Sequence, residues 1–220
     1  MNITLPFNVT NIASIASFSR RGMVLIAVQS IIFLVLNIAA FVGNLLVCLA
    51  IYRNPSLRSV TSNFILSLAL TDLLMAVVVM PVYTVSSLLD RWIAGEVFSQ
   101  IMFCCLALAG YTSILNVMLL AINRYFRVVR SQMYRNIYSK KSSAMMAVVT
   151  WLVTLVVAGS YPFVGVRYEM SESNPTVDKL SFSNEVPHIH LYTTIIASLY
   201  LILPVFVIVI CYVKIYKTIR

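Results

Sequence analysis

The chain predicts an all-α membrane protein with five bilayer-crossing helices and its amino terminus outside, and three observations carry that prediction. Sixty per cent of its 220 residues are hydrophobic and ten per cent are charged, against about 45 to 50 and about 25 per cent in soluble domains. The apolar excess is gathered into blocks near 23–51, 62–89, 97–122, 143–166 and 190–213. Each is long enough for about 30 Å of hydrocarbon at roughly 1.5 Å per helical residue. The third observation is loop charge. Segments on one side hold Arg53, Arg58, Arg124, Arg127, Arg130, Arg135, Lys140, Lys141, Lys214, Lys217 and Arg220, and no acid. Those on the other mix Arg91, Arg167 and Lys179 with Asp90, Glu96, Glu169, Glu172, Asp178 and Glu185. Positive charge marks the cytoplasmic side, so the net charge of +9 reports topology rather than affinity for nucleic acid. Arg20 and Arg21 oppose this orientation and are outvoted.

Residues 1–22 form the outer tail, and 23–220 the membrane domain. The tail lacks a basic start followed by a continuous apolar core, so the first span itself directs insertion. Asn2 and Asn8 each head an N-x-[ST] tripeptide, glycosylation acceptors if the tail reaches the lumen and chance matches otherwise.

Within the first span Ser30, Asn37 and Asn44 recur every seven residues and share a stripe. Hydrocarbon offers polar atoms no partner, so such stripes face protein. The second span carries Ser67 and Thr71 one turn apart, with Asp72 beside them as the acid placed within hydrocarbon. A carboxylate there needs a cation, hydrogen bonds or water. Asn44 and Ser113 are suited to complete an oxygen-rich pocket for a small hard cation. A purely hydrogen-bonded cluster is the alternative.

Ser113, Asn116, Asn123 and Arg124 follow i, i+3, i+10 and i+11 on the third span, compatible with one inward face. Arg124 ends that span, where a fixed charge against hydrocarbon costs up to about 3 kcal/mol at the bilayer centre and less near its edge. A role beyond packing is expected of it. Pro81, Pro162 and Pro204 each remove a helical hydrogen bond and permit a kink in the second, fourth and fifth spans.

The second cytoplasmic loop, 125–142, is basic and holds Tyr125, Tyr134 and Tyr138; anionic lipid headgroups and a cytosolic partner are equally suited to it. The outer segment 167–189 has no helical or strand period, which predicts a solvated loop or a lid. Cys48, Cys104, Cys105 and Cys211 all fall within spans, so no disulfide is expected in the outer loops. Catalysis is not expected, because no nucleophile triad, carboxylate pair, glycine loop or metal-ligand set is found in the sequence.

Several short motifs, in order, resemble those of the rhodopsin-like G-protein-coupled receptors. They are Gly43 to Val47 (GNLLV), Leu68 to Leu74 (LALTDLL), Trp92 to Gly95 (WIAG), the triplet Asn123, Arg124, Tyr125, then Trp151, and Pro204 followed eight residues later by Tyr212. The resemblance implies five helices of a seven-helix receptor bundle in the plasma membrane, glycosylated outside. An extracellular ligand, a heterotrimeric G protein, membrane lipid and further receptor copies are its implied partners. It implies an allosteric sodium ion, with no other cofactor, at Asp72, Asn44 and Ser113. Asn123, Arg124, Tyr125 and Tyr212 become the activation switch facing the G protein, and Ser67, Trp151 and Pro204 packing positions. Leu106, Gly110, Phe182, Asn184 and Tyr200 become the implied ligand contacts.

Asn123 in place of the family's usual acid, followed by Tyr134 to Ser139 (YRNIYS), is most similar to melatonin-type receptors. Leu106 stands where amine receptors keep an aspartate, which argues against an amine ligand. Tyr161 and Tyr200 replace the asparagine and histidine of melatonin recognition, so melatonin itself is not the expected ligand. Ser99 and Leu180 stand where the family's outer disulfide is expected, which forgoes roughly 2 to 5 kcal/mol of tethering. The sequence ends at Arg220 inside the fifth helix, so a partial or truncated chain that does not signal alone is expected. Two rival readings stay open: a truncated isoform that pairs with and retains full-length receptors, and a transporter or channel subunit relaying ions through Asp72.

Overall fold

A computed structural model describes residues 9–89, 95–171, 174–182 and 189–220. Among these, five helical segments are long and apolar enough to cross a membrane: Gly22–Arg53, Val60–Leu88, Glu96–Val129, Lys140–Ser160 and Ile189–Ile219. The first belongs to a helix that begins at Val9. All five apolar blocks therefore become helices, although their ends move. The third continues past its expected end near 122 to Val129, which keeps Arg124 on the helix. The fourth stops at Ser160, six residues short of the expected end.

Proline accounts for most of the irregularities. Pro81 and Pro204 each lack an N–H, and in each case the turn just before widens into a π-helix, Met75–Val79 and Ser198–Ile202. The Met80 N–H reaches back to the Met75 carbonyl, and the Leu203 N–H to that of Ser198. Pro162 acts differently: it lies just past the end of the fourth helix and terminates it instead of kinking it. Phe163 and Val164 donate to the Ser160 carbonyl at 3.0 and 3.1 Å, and Gly165 then turns the chain at φ 80°.

That turn feeds an antiparallel hairpin, β1 Val166–Ser171 and β2 Asn174–Phe182. The segment expected as a loop is thus paired from Val166 opposite Phe182 through Met170 opposite Asp178, with a register shift before Ser171. No alternating apolar pattern announces it, although Val166 at its start is buried in the outer core cluster. β1 packs on the third span and β2 on the outer end of the second.

Small side chains let the helices approach closely: Ala69, Ala76, Ala109, Ala121, Ala147 and Ala158 are all buried. Between them run hydrogen bonds that lipid could not supply. Ser30 donates to Ser87 at 3.1 Å, joining spans one and two. Thr112 and Thr154 share a bond of 2.6 Å between three and four. Asn63 donates to the Ser143 hydroxyl and the Lys140 carbonyl, both at 2.8 Å, between two and four. The Trp151 indole donates to Ser67 at 3.0 Å, so these two positions meet across the same pair of helices. Pro204 is buried. The third span is the hub, touching the second, fourth and fifth.

Candidate functional site

Three polar or aromatic clusters lie one above another along the third span. In the middle, Asp72 is within hydrogen-bonding reach of the Asn44 and Ser113 side chains, so the three residues singled out from sequence come together from three helices. The Asn44 amide nitrogen carries two hydrogens; one goes to the Ala40 carbonyl at 2.9 Å, leaving the other for Asp72. Thr71, which periodicity marked only as inward, adds its hydroxyl 2.8 Å from that of Ser113 and 2.7 Å from the Leu68 carbonyl. The two hydroxyls have two protons for three acceptors. When Ser113 donates to an ionised Asp72, Thr71 supplies Ser113 and releases Leu68. The cluster therefore presents a carboxylate with two hydroxyl oxygens and an amide, a hard-oxygen donor set that fits a small cation. Asn116, one turn inward from Ser113, is buried with neither amide atom partnered among the described residues, as is Asn37 at its Oδ1.

At the cytoplasmic end Asn123 and Arg124 part company. Asn123 is fully buried and donates to the Thr61 hydroxyl at 3.0 Å. Arg124, expected on the same inward face, is exposed, and its Nη1 lies 3.3 Å from the Tyr212 hydroxyl of the fifth span. One residue of helix rotates a side chain by about 100°, so consecutive positions cannot share one direction. Tyr125 sits under the Lys214 ammonium, 5.7 Å from its ring centroid, and 5.4 Å edge-to-face from Phe126. The basic loop beyond contains a short helix, Ser131–Ile137, whose Tyr134 stacks on Tyr138 at 5.1 Å. Burial, with Tyr134 and Cys211 adding to it, pushes the Tyr138 phenol up. It stays protonated at neutral pH.

The outer half holds a cluster that periodicity did not reveal. Tyr161 and Tyr200, both buried, pack with Tyr111, Phe103 and Tyr192. Tyr111 and Tyr161 share a short hydroxyl contact, as do Ser160 and Tyr192. The Tyr111 and Tyr200 rings lie 4.7 Å apart. The richness in tyrosine was the available signal, but the rings come from the third span, the end of the fourth and the fifth span, and no single-helix period joins them. Tyr200 alone of the expected ligand contacts belongs to this cluster. Leu106 lines a separate cavity of about 240 Å³ with Phe33, Met75, Val79, Met80 and Tyr83. Gly110 is exposed, Phe182 pairs with Val166 in the hairpin, and Asn184 lies outside the described residues. So do Asn2, Asn8 and residues 92–94.

Ser99 is buried and its hydroxyl donates to the Gly95 carbonyl four residues back at 3.0 Å, within its own helix. Cys48, Cys104, Cys105 and Cys211 are free thiols.

A multi-pass helical bundle whose polar atoms converge inside and whose arginine lies at the cytoplasmic end defines a class, the helical multi-pass membrane proteins. The family profile described as "7 transmembrane receptor (rhodopsin family)" matches residues 43–220, and the chain belongs to that family. It is 30% identical to Melanopsin-A of Danio rerio over 189 residues, 86% of this chain and 32% of that protein. Melatonin receptor type 1B of Rattus norvegicus is 31% identical over 187 residues, 85% of this chain and 50% of its own length. Melatonin receptor type 1A of Gallus gallus is 33% identical over 175 residues, 79% and 48%. The chain thus spans about a third to a half of the curated relatives it matches. The likeness to melatonin receptors stands, and melanopsins share it to the same degree.

Proposed function

We propose that the protein acts as a G-protein-coupled receptor at the plasma membrane, binding an extracellular ligand and activating a heterotrimeric G protein. The observation that carries this reading is Arg124: an exposed guanidinium at the cytoplasmic end of the third helix, steadied by the Tyr212 hydroxyl at 3.3 Å. A charge so placed can leave one partner for another at small cost, which is what a two-state switch requires. Tyr125, held under Lys214, ties the same region to the fifth helix.

Sodium is proposed at the middle cluster, held by the Asp72 carboxylate with oxygens from Ser113 and Asn44. A cation there stabilises whichever arrangement keeps those three helices converged and so biases the receptor toward it. The ligand is proposed to be neither an amine nor melatonin. Leu106 supplies no counter-charge, and Tyr161 and Tyr200 fill the place of the melatonin receptors' amide and imidazole with a hydroxyl-rich aromatic cluster.

The test is guanine-nucleotide exchange on a purified heterotrimeric G protein, driven by membranes carrying the complete receptor with and without Arg124→Ala. Exchange is expected to fall at least tenfold at equal receptor density. An unchanged rate refutes the role given to Arg124.

A further inference from the structure

The cytoplasmic halves of the second and fourth spans enclose a groove of about 260 Å³. One wall carries Asn63, Leu66 and Leu70 at i, i+3 and i+7, and the other Ala144, Ala147 and Trp151 at the same spacing. Each wall rises about 10 Å, less than the roughly 15 Å of one leaflet's hydrocarbon, so the groove stays in the inner half of the bilayer. The bond from Trp151 to Ser67 ties the walls at the end nearer the bilayer centre. Asn63 ties them at the other, donating to the Lys140 carbonyl and the Ser143 hydroxyl at 2.8 Å. Leu70 and Val148, 46% and 53% exposed, open the groove sideways to lipid.

On the fourth helix the groove-lining stripe runs on for one more turn, to Lys140 and Lys141, four and three residues before Ala144. Both lysines are exposed. They occupy the first turn of the helix, the end where unpaired backbone N–H groups are themselves positive. An acid belongs at such a place, and the chain has none to offer there: of its seven carboxylate side chains, six lie in outer segments and Asp72 is mid-span. The general excess of positive charge on the cytoplasmic side accounts for lysine in this region, but not for two of them crowded at a positive helix end. Their counter-charge comes from another molecule, and the adjoining groove specifies which. A soluble acidic partner would meet the lysines and leave the apolar walls empty. A sterol or a neutral lipid would fill the walls and leave the lysines unpaired. An anionic phospholipid satisfies both, with its head at the helix end and a chain in the groove.

We propose that this groove and the two lysines at its mouth form a binding site for an anionic phospholipid of the cytoplasmic leaflet. Its headgroup sits on Lys140 and Lys141, and one acyl chain lies between Leu66, Leu70, Ala144 and Val148. The site shares no residue with the clusters assigned to ligand, sodium and G protein.

The test places the full chain in phosphatidylcholine vesicles doped with a diazirine-acyl phosphatidylserine or, at the same mole fraction, a diazirine-acyl phosphatidylcholine. After irradiation, adducts are mapped by peptide mass spectrometry. Residues 63–70 and 144–151 are expected to be labelled about tenfold more by the serine probe. Excess phosphatidylserine should compete that labelling away, and excess cholesterol should not. Lys140→Gln combined with Lys141→Gln should bring labelling by the serine probe down to that of the choline probe. Lys217→Gln combined with Arg220→Gln removes the same charge from the cytoplasmic end of the fifth span and should leave it within about twofold of the unmodified chain. Equal labelling by the two probes, equal competition by cholesterol, or an equal loss from the two double variants overturns the proposal. The comparison of probes on the unmodified chain decides the matter even where a variant does not insert.

Discussion

If polar contacts between helices hold this bundle together, removing one acceptor should cost a measurable and predictable amount. Ser67 offers the cleanest case, being buried and taking the Trp151 indole N–H at 3.0 Å across 84 residues of chain. Ser67→Ala deletes only the hydroxyl, leaving an N–H that lipid cannot satisfy. Interhelical hydrogen bonds in membranes contribute about 0.6 kcal/mol on average and up to about 1.7. With the donor left unpaired, a cost of about 1 kcal/mol is expected. For a chain of this length that lowers the unfolding midpoint by about 2 to 4 °C. The companion change Trp151→Phe removes the N–H but keeps an aromatic body. In that background Ser67→Ala should cost less than half as much, a coupling of about 0.6 kcal/mol in the double-mutant cycle. Heating the full chain in one fixed detergent with a fluorogenic thiol reagent supplies the readout, since Cys211 is buried and reacts on unfolding. Equal costs in both backgrounds would show that the contact contributes nothing and that this pair of helices is held by shape alone.

Two further outcomes are expected. Asp72→Asn keeps the size of the side chain but removes the charge that a cation needs. In the complete receptor the affinity for a reference agonist, sensitive to sodium in the wild type, should become insensitive; sensitivity that survives the change would remove the ion from the site. Gly165→Ala places a Cβ on a residue with φ 80°, where a non-glycine residue is strained by about 1 kcal/mol. The thiol-reagent midpoint should fall by about 2 to 4 °C, with protease cutting in the hairpin rising in parallel. An unchanged midpoint and unchanged cutting would show that the turn is not set by that conformation.

Much of this arrangement is legible in the chain because hydrocarbon is an unforgiving solvent. Apolar blocks of sufficient length mark the helices, and Ser30, Asn44, Asp72 and Ser113 find partners inside because outside there are none. Arg124 was placed on the correct helix and reaches Tyr212 of the fifth span, but it is exposed where Asn123 is buried, since two consecutive residues diverge by about 100°. The hairpin escaped notice because it rests on a bundle instead of folding around a core. The tyrosine cluster escaped because Tyr111, Tyr161 and the pair Tyr192 and Tyr200 belong to three different spans and meet only in space. The bonds of Thr71 to Ser113 and of Thr112 to Thr154 belong to that group too, with each partner legible as polar and neither as paired.

The widened turns at Met75–Val79 and Ser198–Ile202 each hold one more residue than an α turn would. Everything outward of them is consequently advanced by about 100° around its own axis. Were either turn to tighten to ordinary α-helix with all its residues kept, the outer segment would swing by about 100° to a new heading. In the second span the swing would carry Ser87 off Ser30. In the fifth it would unseat Tyr192 from Ser160. The outward halves of these two helices are thus mounted on dials with a stop at each residue. A shift of one place re-aims the extracellular mouth while the cytoplasmic half, with Arg124 against Tyr212, stays where it is.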